Sequence, residues 1–152
     1  MTAMTQKERS AKTAAKRAAA CEVELRHRVR PGIRAMLSDL MEWHGIEEVS
    51  EAVQLLALNT RHLELLPPER GTELLRHYAR PGLMLKLGAL AGDGADLALV
   101  VESLIARAHA AGPDGSARLL EAPRHEVRVS ENVARTLYAI GAKEAHRLDA
   151  TE

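Results

Sequence analysis

Residues 22–30 read EVELRHRVR, with apolar and polar positions alternating along them. Val23, Leu25, His27 and Val29 share one face, and Glu22, Glu24, Arg26, Arg28 and Arg30 share the other. A two-residue period is that of a strand with one face buried, so a half-buried strand is predicted here. Pro31-Gly32 follows, and proline suits a first helical position. Ile33, Met36, Leu37, Leu40 and Met41 then recur at three and four residues, which predicts an amphipathic helix closed by Gly45. A second helix is predicted from Ile46 to about Leu65, with Val49, Val53, Leu56 and Leu63 inward and Pro67-Pro68 as its stop.

The pattern returns fifty residues later. Arg26-His27 and Arg30-Pro31-Gly32-Ile33 recur as Arg76-His77 and Arg80-Pro81-Gly82-Leu83. Leu83, Leu87 and Leu90 predict a helix broken at Gly92-Asp93-Gly94. Leu97, Val100, Val101, Leu104, Ile105 and Ala108 predict another, ended by Gly112-Pro113. The segments PPERGTELL (67–75) and GPDGSARLL (112–120) also match. A third partial copy follows, with HEVRV (125–129) as a strand and Ser130 as the cap of a last helix. Duplication of a strand–helix–helix unit is the reading. Its middle strand is the weakest, because Leu75–Ala79 reads equally well as the end of the preceding helix.

Residues 1–20 alternate alanine with lysine and arginine and hold no large apolar residue beyond Met1 and Met4. They cannot bury a face, which predicts a mobile arm that becomes helical on binding. The expected organisation is a basic arm at 1–21, a strand–helix–helix unit at 22–66, a degenerate helical repeat at 67–123 and a strand–helix at 124–152.

Composition narrows the fold class. The chain has 26 Ala and 22 Leu against nine Val, four Ile, one Trp, two Tyr and no Phe. Alanine and leucine favour helix, whereas β-branched and aromatic residues favour strands. A mainly α protein with a short β-ribbon is expected, and a large sandwich or barrel is excluded. One cysteine, Cys21, excludes an internal disulfide framework and a cysteine-rich zinc site. No apolar run reaches membrane-spanning length and the N-terminus lacks an apolar signal core, so a cytoplasmic protein with no membrane partner is expected.

Net charge is zero but unevenly spread. Residues 1–34 carry nine basic groups against three acidic ones, while residues 35–66 carry one against six. A basic front on an acidic body suits a polyanion.

A short strand, two helices and a basic arm ahead of them resemble the ribbon-helix-helix DNA-binding family, the Arc and MetJ superfamily, over residues 22–65. Gly45 between the helices and Ser50-Glu51 at the start of the second match the family's spacing. The resemblance implies a two-stranded antiparallel ribbon that enters the major groove and reads bases with its polar face. Glu24, Arg26 and Arg28 would then contact bases, while Val23, Leu25 and Val29 pack on the helices. Lys7, Arg9, Lys12, Lys16, Arg17, Arg30 and Arg34 would hold phosphates. The chain departs from the family at the second helix, where Glu47-Glu48 stand at a position that usually receives a phosphate.

The strand needs a partner for its backbone groups. Two are available in the sequence. One is the same strand of a second chain, giving a homodimer. The other is HEVRV of this chain, giving an intramolecular pseudo-dimer with Glu126 and Arg128 as a second reading edge.

Other chemistry is sparse. Of the seven histidines (27, 44, 62, 77, 109, 125, 146), no pair stands four apart as in a helix-borne metal site. His27 and His77 are expected to line a strand or helix face, and Trp43 to cap the core. No serine lies in a nucleophile motif, and Gly92-Asp93-Gly94 lacks the spacing and lysine of a phosphate loop. The expectation is therefore no enzyme, metal or cofactor, but a dimeric, sequence-specific DNA-binding transcription regulator such as a repressor. The alternative is an interaction module, as in an antitoxin or phage accessory protein, with the ribbon used for dimerisation and the C-terminal helices for a protein partner.

Overall fold

The computed structural model describes residues 5–122, 135, 136 and 138–141. Two units are distinguished, residues 1–122 and 123–152, and in the second the described residues are helical. The expected strand at 125–129, with Glu126 and Arg128, lies outside the described residues.

The first unit begins with α1 (Gln6–Ala19), a helix where a mobile arm was expected. Alanine, lysine and arginine are all good helix formers. The Thr5 hydroxyl accepts from the Glu8 backbone N–H, and the Glu8 carboxylate accepts from the Thr5 N–H, a reciprocal cap that fixes the first turn. At the far end Cys21 adopts φ +53°, its N–H donating to Ala18 and that of Glu22 to Arg17. This pair of bonds turns the chain out of the helix and into the strand that follows.

Two matching units come next. The strand β1 (Val23–Val29) leads to α2 (Ile33–His44) and α3 (Val49–Asn59). The strand β2 (Glu73–Ala79) leads to α4 (Pro81–Ala91) and α5 (Leu97–Ala110). A short helix, α6 (Gly112–Ser116), and a 3-10 turn (Ala117–Leu119) close the unit. Gly45 ends α2 at φ +63°, a left-handed conformation that favours glycine.

β1 and β2 pair antiparallel as a two-stranded sheet, with Arg26 opposite Arg76, Leu25 opposite His77 and His27 opposite Leu75. This corrects the expected pairing. Among the described residues, the partner of β1 is the middle strand of its own chain. The region expected as a helical repeat from residue 67 instead holds a strand, β2, ahead of its helices.

The two copies interlock: α5 packs on β1, α3 on β2, α2 on α5 and α3 on α4. Their inward residues merge into one core that includes Ile33, Leu37, Leu40, Leu56, Leu83, Leu87, Val101 and Ile105. Burying a leucine or isoleucine contributes about 1.5–3 kcal/mol. A lone copy would leave its half of this surface in water.

Three local expectations are also corrected. α3 ends at Asn59, and the next residues run without regular secondary structure past α5 to β2. Their backbone groups find side-chain partners: the Leu66 N–H donates to Ser103, while Arg107 donates to the His62 carbonyl. The likeness of residues 67–75 to 112–120 does not extend to structure, since the first is irregular until β2 begins and the second is helical through Leu119. Val23 lies exposed at the ribbon end and does not pack on the helices.

Candidate nucleic-acid interface

Alternation along β1 sends Glu24, Arg26 and Arg28 to the face of the ribbon away from the helices, while His27 and Val29 are buried beneath. β2 adds Leu74, Arg76 and Tyr78 to the same outer face, with Leu75, His77 and Ala79 buried. The face therefore carries three guanidinium groups and one carboxylate. The sequence signal for these three β2 residues is the fifty-residue echo of Arg26-His27 in Arg76-His77.

At the centre Arg26 and Arg76 are direct cross-strand partners. Arg26 also donates to Glu24 at 3.0 Å. That hydrogen bond, with the charge behind it, holds the Glu24 carboxyl below its ordinary pKa and raises that of Arg26. At one end Arg28 lies opposite Leu74, with its guanidinium 3.4 Å from the Thr72 carbonyl. At the other end Glu24 lies opposite Tyr78, and the Arg17 guanidinium stacks 3.7 Å above the Tyr78 ring. Glu22 ties this end together, accepting from Arg80 at 2.9 Å and facing Arg17 at 3.9 Å.

Under the ribbon, His27 and His77 meet Nε2 to Nε2 at 2.9 Å. One ring must donate and the other accept, which two neutral rings achieve as complementary tautomers. Burial pushes both pKa values down, that of His77 to about 4 with help from the His27 charge. His77 Nδ1 is buried without a hydrogen-bond partner.

The residues expected to hold phosphates separate into two groups. Lys7, Arg9, Lys12 and Lys16 are exposed along α1, and Arg34 is exposed on α2. Arg9, Lys12 and Lys16 recur at three and four residues and so form one stripe. Arg17 is committed to Tyr78 and Glu22. Arg30 is not available as expected. Its guanidinium lies 3.1 Å from the buried Glu102, 3.2 Å from Glu69 and 2.8 Å from the Pro67 carbonyl. Its backbone N–H also donates to Glu102.

The helix N-termini facing out of the two copies are acidic. Glu48 stands at the N-cap position of α3 beside Glu47 without a side-chain capping bond, and Asp96 caps α5, accepting from the Ala98 N–H at 3.2 Å. Carboxylates there complement the helix dipole and repel an anion. Ser50 is also occupied, accepting from the Tyr78 N–H at 2.9 Å. Trp43 neither caps the core nor faces the ribbon, but stacks on His109, which also donates to Asp39.

Among the described residues no group of three or more His, Cys, Asp or Glu could hold a metal ion. No helix among them is long and apolar enough to cross a membrane. No family model, curated protein or solved structure matches the chain.

Proposed function

We propose that the protein is a double-stranded DNA-binding transcription regulator of the ribbon-helix-helix type, its ribbon lying in the major groove. The observation that carries this reading is the placement of Arg26 directly opposite Arg76 on an exposed antiparallel ribbon. Like charges in that position repel. A polyanion removes the cost, and each guanidinium can donate two hydrogen bonds to guanine O6 and N7. A two-stranded ribbon also suits a major groove about 12 Å wide. The α1 stripe of Arg9, Lys12 and Lys16, together with Arg34, takes the phosphates that the acidic α3 and α5 termini would repel.

Titration of a random-sequence duplex at increasing salt tests the reading. Affinity falls steeply with salt, and replacing Arg9, Lys12 and Lys16 by alanine together flattens the slope by about 0.9 per lost phosphate contact. Absence of binding at low salt, or binding indifferent to salt, would refute it.

A second reading, a protein-interaction module, draws on the carboxylates at both helix N-termini and on Leu58 and Leu85, which are exposed on α3 and α4. Apolar helix docking would be nearly independent of salt, so the same titration separates the two.

A further inference from the structure

The ribbon has an internal two-fold relation that its outer face does not obey. β1 and β2 are equivalent segments offset by fifty residues, and their register places the pseudo-two-fold axis between Arg26 and Arg76. Around that axis Glu24 corresponds to Leu74, and Arg28 to Tyr78. The centre is therefore symmetric while the ends differ: one presents Arg28 with Leu74, the other Glu24 with Tyr78. The flanks differ as well. Basic α1 enters the ribbon at the Glu24–Tyr78 end, where Arg17 stacks on Tyr78. The other end is entered by segment 60–72, which holds two arginines and two glutamates.

We infer that one chain constitutes the complete reading head and that its target is a non-palindromic duplex bound in a single orientation. The inference rests on the DNA-binding reading above. The two central arginines recognise guanines. Arg28 and Leu74 fit a further guanine beside a thymine methyl. Glu24 accepts from the exocyclic amine of cytosine and is repelled by guanine O6 and N7. A perfect palindrome would present the same base edges to both ends and so mismatch one of them.

Selection of duplexes from a random library with the full chain tests this, followed by native mass measurement of the selected complex. The expected result is an asymmetric consensus with one chain bound. Replacing either half of the selected site by the mirror of the other is expected to weaken binding roughly 5- to 150-fold, the range for a mismatched base pair. The double variant Glu24→Leu with Tyr78→Arg gives both ends the Leu/Arg pair, and it should prefer the palindrome built from the Arg28–Leu74 half. A palindromic consensus, or two chains on each site, would overturn the inference while leaving DNA binding intact. Failure to enrich any duplex would overturn both.

Discussion

Arg26 and Arg76 face each other at the midpoint of the ribbon, two guanidinium groups on directly paired residues. Like charges directly opposite one another cost a few tenths to about 1 kcal/mol. Glu24 relieves part of this by accepting from Arg26. Arg76→Ala is therefore expected to leave the urea midpoint unchanged or slightly raised. The same change should weaken specific DNA binding by about 1–3 kcal/mol at one base position. Urea unfolding and duplex titration read the two effects separately, and stability and affinity falling together would show that Arg76 is merely structural.

The histidine pair beneath the ribbon predicts a pH dependence. His77 titrates near 4 in the fold, below its ordinary value, because burial disfavours the charged ring. His27 is shifted in the same direction. The unfolded chain consequently binds more protons between about pH 4 and 6.5, so stability rises with pH across that window. The contribution is complete above about pH 7, declines as pH falls through 6.5 and is gone by about 4. For His77 it is on the order of 3 kcal/mol. A first added proton can keep the Nε2–Nε2 bond. A second sets two N–H groups head-on. Urea melts at pH 7.5, 6 and 5 should show the loss, and His27→Leu with His77→Leu should remove the excess slope relative to the native chain.

How far the structure can be read from the sequence differs between the two strands. In β1 every outer position is charged, and the two-residue period stands out. In β2 the outer positions include Leu74 and Tyr78, so ELLRHYA loses the alternation that marks a strand. Only its likeness to the first copy reveals it. Residues 60–66 show the opposite failure. Leu63 and Leu66 have helical spacing, yet the segment is not helical, and Ser103 and Arg107 of α5 bond its backbone instead. Those partners lie about forty residues away and leave no local trace. Arg30 looks like another outward cation of the ribbon for the same reason, since its partner Glu102 is remote in sequence.

Glu102 is buried on α5 and receives both the backbone N–H and the guanidinium of Arg30. This contact ties the end of β1 to the second helix of the other copy. Removing Glu102 orphans the Arg30 backbone N–H and leaves the guanidinium with only Glu69 and the Pro67 carbonyl, at a cost of about 3 kcal/mol. Glu102→Ala is expected to destabilise the protein by that amount. Arg30→Met with Glu102→Gln leaves no orphaned charge, keeps an acceptor for the backbone N–H of residue 30 and should recover much of the loss. A double variant as unstable as the single one would count against this account.

Gly71 is the tightest point of the connection between the copies. A Cβ there would collide with the backbone of Arg28 and Val29, where the adjacent Thr72 N–H donates to the Val29 carbonyl at 3.0 Å. The obstacle is main chain within the ribbon and cannot swing aside as a side chain could. Gly71→Ala should therefore push the linker off the β1 edge, costing about 1–3 kcal/mol as overpacking does. Gly82, offered as a control, has open space around its Cβ position, so Gly82→Ala near the start of α4 should be neutral or slightly stabilising. Hydrogen exchange at the Thr72 amide distinguishes the mechanisms, since protection should fall there first in Gly71→Ala and stay native in Gly82→Ala.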